Sequence, residues 1–137
     1  MPSNGPWVQV AALCEQVDSG PPLKLVGFVD KLDIEGSPGT AVPLDQLTLV
    51  ICLWGDDLPA GAYDLAVQSH APDSTMQAAA NASVTFPSTG ASGVNVLSPA
   101  PFTVAAEGVY WYDVLFPEPD GGRRLLSRFP LTVNYRS

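Results

Sequence analysis

The sequence predicts an all-β chain, an immunoglobulin-like antiparallel β-sandwich of about eight or nine strands. Three observations lead there. Short apolar or alternating runs recur along the whole length. Fourteen prolines and twelve glycines punctuate them. No stretch sustains the 3.6-residue period of an amphipathic helix, so neither an α/β fold nor a bundle fits. A closed barrel is the alternative.

The densest run is Gly108-Val-Tyr-Trp-Tyr-Asp-Val-Leu-Phe116, which reads as a central strand. Alternation puts Tyr110, Tyr112, Val114 and Phe116 on one face and Val109, Trp111, Asp113 and Leu115 on the other. The first strand is Trp7–Cys14, apolar on both faces apart from Gln9. A turn over Glu15–Pro22 leads to a second strand over Leu23–Asp30, where Gly27 marks a bulge or a close approach. Asp33–Pro43 reads as a loop.

Leu47–Trp54 follows, continuously apolar and β-branched. This is the pattern of a strand covered on both sides or buried at a sheet centre. Gly55–Ala60 turns the chain, and Gly61–Gln68 alternates with Tyr63, Leu65 and Val67 on one face. Ser69–Ala82 is the least patterned region, and Met76–Ala80 has the composition of a single helical turn. Asn81–Phe86 reads as a short edge strand, Ser88–Gly93 as a small-residue loop, and Val94–Leu97 and Phe102–Val104 as short strands. Pro117–Gly122 forms a turn, with Asp-Gly and Gly-Gly tolerating positive φ. Arg123–Ser127 returns, and Phe129–Tyr135 alternates strictly with Phe129, Leu131, Val133 and Tyr135 inward. Pro130 cannot donate to a ladder, so it belongs at a strand start or on an edge.

At 137 residues the chain suits one domain, 1–137, with 1–6 expected to be a disordered tail. Its net charge is −8. All fourteen acids precede residue 122, opposed there only by Lys24 and Lys31; Arg123, Arg124, Arg128 and Arg136 then follow. An acidic body repels phosphate backbones, so nucleic acid is not an expected partner. The basic end is expected to pair with that body as a salt-bridged surface. No run is long enough to cross a membrane as a helix. No export signal is read at the N-terminus, so the cytoplasm is the expected location. There, Cys14 and Cys52 are expected as buried free thiols, a disulfide across the sandwich being the alternative.

Two stretches repeat a pattern. Gly61-x-Tyr63 and Gly108-x-Tyr110 each open a strand with a glycine two residues before an inward tyrosine. Immunoglobulin-like domains tie a corner with a tyrosine hydroxyl at such a place. Together with Ala11-Ala-Leu-Cys-Glu15 and Lys24-Leu-Val-Gly-Phe-Val-Asp30, these residues carry a resemblance to an uncharacterised family of small bacterial proteins. The resemblance implies an immunoglobulin-type sandwich and carries no site across.

Catalytic material is scarce. His70 is the only histidine, so any Ser-His-Asp or Cys-His device must use it; in Ser69-His-Ala-Pro-Asp73 it reads as a solvated loop residue. One histidine and two separated cysteines make a poor transition-metal site. Asp56, Asp57, Glu118 and Asp120 are the best oxygen ligands, and would share a calcium ion only if their turns meet. Ordinary acidic turns are the simpler expectation. Neither a metal nor a cofactor is expected.

The candidate interaction surface is Trp111 with Asp113, and second Trp54 at a strand end. Sandwich cores routinely hold tryptophan, so Trp111 in the core is the bland expectation and display on a binding face the functional one. The expected function is a non-catalytic protein-interaction or accessory module, using a protein partner or self-association. The alternative is a carbohydrate- or small-ligand-binding domain. An enzyme is not expected.

Overall fold

The computed structural model describes residues 5–55, 58–87 and 93–136. Residues 1–4 of the expected tail, the pair Asp56 and Asp57, and 88–92 of the expected small-residue loop lie outside the described residues.

Eleven strands run in order: β1 (Trp7–Asp18), β2 (Lys24–Val29), β3 (Lys31–Glu35), β4 (Val42–Pro43), β5 (Thr48–Trp54), β6 (Gly61–His70), β7 (Met76–Phe86), β8 (Gly93–Pro99), β9 (Thr103–Val104), β10 (Gly108–Pro117) and β11 (Arg123–Arg136). Setting aside the two-residue pair β4 and β9, nine strands build an immunoglobulin-like sandwich. One sheet has the order β2-β1-β5-β8 and the other β3-β11-β10-β6-β7. The stretch over 108–116 is therefore the central strand of the larger sheet.

The core lies between the sheets and follows the alternation. Leu13, Leu49, Ile51 and Leu53 face Leu65, Val84, Phe86, Tyr110, Tyr112, Val114, Leu131 and Val133. Tyr112 sits between Phe102 and Phe129, with ring centroids 4.8 and 5.2 Å away. Both Gly-x-Tyr repeats tie down the segment ahead of their strand. The Tyr110 hydroxyl accepts bonds from the backbone N–H groups of Ala105 and Ala106, each 3.0 Å. The Tyr63 hydroxyl donates to the Pro59 carbonyl at 2.7 Å. Ahead of Tyr110, Gly108 has φ +130°, and a Cβ there would stand 2.8 Å from the Pro72 ring, so the start of β10 requires glycine.

Four sequence expectations are corrected. Met76–Ala80 is not helical; it opens an eleven-residue strand, because pairing with β6 overrides the helix preference of alanine. Asp33–Pro43 is not all loop. Lys31–Glu35 forms a strand with Leu32 and Ile34 packed on the core. That strand pairs in parallel with β11, the one parallel pair among the described residues. The chain switches sheets at Asp30, whose carbonyl accepts from Thr132 N–H at 3.0 Å, and so reaches β11 without a hairpin. Glu15–Asp18 continues β1 rather than turning. Finally, 123–136 is one strand bent by a bulge opposite Val114 and Leu115.

Pro130 lies mid-strand, opposite Trp111. Its missing donor faces the β3 side, where pairing starts only at Thr132, so no ladder bond is lost.

Candidate functional site

Trp111 and Asp113 stand on the outer face of the five-stranded sheet. Trp111 is 40% exposed while its neighbours Tyr110 and Tyr112 are buried. The core placement of Trp111 is thus overturned: the tyrosines fill the intersheet space, and alternation turns the indole out. In register beside it are His70 on β6 and Pro130 on β11.

Asp113 lies on an outer face yet is only 6% exposed. Arg128, its register partner, grips it through two bonds: Nε to Oδ1 at 2.6 Å and Nη2 to Oδ2 at 3.0 Å. His70 Nε2 comes within 3.2 Å of Oδ2 from the other side. That approach is close enough for Coulombic attraction but is not aligned as a hydrogen bond. The bond from Arg128 holds the Asp113 carboxyl below the usual carboxylate range against the opposing effect of burial, with the charges of Arg128 and His70 adding to it. In return, the bond to Asp113 raises the Arg128 guanidinium pKa above its ordinary value.

His70 is therefore a strand residue within a charged cluster, not a solvated loop residue. Sequence reasoning missed it because Pro72 and Asp73 disguise the strand end. Arg128 was legible only as part of a basic C-terminal end; the cross-strand partner needed the register. A second ion pair, exposed and held by a single bond, joins Arg136 to Asp33 at 3.0 Å. Ser69, next to the only histidine, turns the other way. It is buried in register with Tyr112 on the core side, so the two residues form no nucleophile–base couple.

Trp54 does not join Trp111. It lies on the outer face of the other sheet, in register with Trp7, its ring over Gly93. That face is apolar across all four strands. Phe28 is 68% exposed, and Val26, Trp7, Trp54 and Leu97 are also exposed. Between them a floor of Ala12, Cys14, Val50 and Cys52 is buried, with Val10, Val17 and Leu23 packed against it. Between the Trp7–Trp54 end and the Cys14–Phe28 end the polar residues among the described ones are Thr48, Asn95 and the exposed Gln9 at the β1 bulge; past Phe28, Val26 pairs with Gln16 and Lys24 with Asp18.

Both cysteines belong to that floor as free thiols. They lie on adjacent strands of one sheet, which removes a bridge between sheets. Burial raises both thiol pKa values, and Cys14 raises that of Cys52 further. Among the carboxylates named for calcium, Asp120 is engaged in its own turn, accepting from Gly122 N–H at 2.8 Å. Asp56 and Asp57 lie outside the described residues, and the described residues hold no cluster of three or more metal-ligating side chains.

No protein-family model matches the chain. No curated protein matches it. Eighteen chains of solved structures do. One is the C-terminal domain of Wzt, similar with a TM-score of 0.48 and 10% identity over 98% of this chain and 77% of that one.

Proposed function

We propose that this chain is a non-catalytic protein-interaction module that binds through the outer face of its four-stranded sheet. The observation behind this is that the sheet carries a contiguous apolar patch on its outer face in addition to its core face. An antiparallel sheet with one side in water alternates apolar and polar residues. Here Phe28, Val26, Leu97, Trp54 and Trp7 stand exposed above an already buried floor. A contiguous apolar patch rimmed by polar residues marks a contact surface, and aromatic side chains are favoured anchors. A net charge of −8 fits a protein partner better than a nucleic acid. Two buried thiols without a bridge fit a reducing compartment such as the cytoplasm.

A second copy is the simplest occupant. Sedimentation equilibrium on the wild type and on Val26→Ser/Phe28→Ser tests it. Association in the wild type and its loss in the variant support the proposal, as both side chains are too exposed to be needed for folding. A wild type that stays monomeric at high concentration, and retains no protein in a pulldown that the variant fails to retain, would sink it.

The second reading is a carbohydrate or small ligand stacked on Trp111. It is favoured by one observation: an exposed indole beside His70, Gln68 and Arg128. Both Asp113 oxygens are already engaged, so hydroxyl recognition would fall to the other polar groups. Tryptophan fluorescence against a glycan panel decides it, with Trp111→Ala as the control.

A further inference from the structure

The sandwich is not closed along one side. β7 ends the larger sheet and β8 the smaller, and the two edges are not paired with each other. Between them lies a cleft of about 280 Å³. Its floor is made by Leu49 and Ile51 of β5 and Leu65 and Val67 of β6. Asn81, Pro99 and Pro101 at its rim are exposed, so it opens to solvent.

The cleft exists because of side-chain size. Inward positions of β7 run Ala80, Ala82, Val84, Phe86, facing Val67, Leu65, Tyr63 and Gly61. The large residues close one end of the strand; the two alanines leave the other end open. On β8 the inward sequence is Val94, Val96, Ser98, opposite Leu53, Ile51 and Leu49. A serine thus stands where a sandwich ordinarily places a large apolar residue. The space is roughly twice the ~150 Å³ apolar cavity that takes benzene.

We propose that this cleft binds one uncharged amphiphile of medium chain length, with its alkyl chain on the leucine and valine floor. The head group meets Ser98 and the free backbone edges of β7 and β8, which supply both donors and acceptors. Among the described residues no charged side chain lines the cleft, and the chain as a whole is acidic. An alcohol or amide head therefore fits, and a carboxylate does not. The floor of the site faces the intersheet space, away from Phe28 and Trp111 on the outer faces.

Titration of the ¹⁵N-labelled chain with 1-octanol, and separately with octanoate, tests this. The expected result is saturable 1:1 shifts at the amides of Ala80, Ala82, Val96 and Ser98, with octanoate at least tenfold weaker. Ala82→Leu fills the space and is expected to weaken octanol at least tenfold. Absence of saturable shifts in the wild type up to the solubility of octanol overturns the proposal, whether or not the variant folds. So does octanoate binding as tightly as octanol, or shifts confined to the Phe28 or Trp111 faces. Shifts along β8 that grow with protein concentration and ignore the probe mark a strand of a second copy as the occupant, and overturn it too.

Discussion

Arg128 holds Asp113 by both carboxylate oxygens across the β10–β11 pair, on a sheet face that would otherwise be open to water. The carboxylate is almost wholly covered and the guanidinium is half exposed. Removing the cation leaves a buried anion with only the misaligned His70 beside it, and such an orphan costs more than the pair contributes. Arg128→Ala is expected to lower the melting temperature, and Asp113→Asn in the same chain to recover part of the loss. Equal melting temperatures for Arg128→Ala and wild type would contradict this.

The same pair sets a pH dependence. In the folded chain the Asp113 carboxyl is held below its ordinary value, chiefly by its bond to Arg128. The unfolded chain therefore binds more protons just below the free Asp pKa of about 3.9. The stability conferred by Asp113 is complete above that pH and is lost as pH falls through the folded value. Urea denaturation from pH 7 to 3 is expected to show the gap between wild type and Asp113→Asn shrinking below about pH 4.

Tyr110 ties the segment before the central strand to the core. Its hydroxyl takes the backbone donors of Ala105 and Ala106 and is itself fully buried. Tyr110→Phe keeps the ring and orphans both donors, at about 1–3 kcal/mol. The expected signature is a lower denaturation midpoint with faster amide exchange at residues 105 and 106, and unchanged exchange in β1 and β5.

The thiols of Cys14 and Cys52 are covered, and burial disfavours the thiolate. Since the thiolate is the reactive form, native protein at pH 8 is expected to resist a thiol-specific disulfide reagent and to react at two sites once unfolded. Rapid native labelling would mean that the floor of the apolar face opens readily.

If a second copy covers the apolar face, two bodies of like charge must approach. Raising ionic strength from about 0.01 to 0.15 M shortens the screening length from about 30 to 8 Å. Self-association is then expected to tighten with salt. Weakening with salt in a complex with another protein would instead identify a basic partner.

Much of the sandwich was legible because its strands carry their own pattern. The alternation over 108–116 and 129–135 fixed which residues share a face, and the glycine–tyrosine repeats located both hydroxyl ties. Leu47–Trp54, apolar apart from Thr48, implied a strand covered on both sides or buried at a sheet centre, and β5 lies inside its sheet between β1 and β8. Less legible were strands whose pattern is short or made of small residues. Lys31–Glu35 alternates for only five residues before glycine and proline take over, and Met76–Ala82 is built largely of alanine. Both gain their extended form from a neighbouring strand.

The candidate site divides in the same way. Trp111 and Asp113 share a face by period two alone, which local backbone geometry dictates. Their partners do not follow from any local rule. Arg128 lies 15 residues on and meets Asp113 only through the register of two paired strands. His70 arrives from β6, on the other side of the central strand. The separation of Trp54 from Trp111 onto opposite faces of the sandwich likewise depends on which sheet each strand joins. The sequence by itself determined most of the strands and which residues alternate together on each, because side-chain alternation is a property of a single strand; which face of 108–116 met the core, and so that Trp111 turns outward, came from the packing of the two sheets. Only the tertiary structure decided the ion-pair cluster, the second apolar face and the cleft between β7 and β8, because strand order and register arise from packing between segments far apart in the chain.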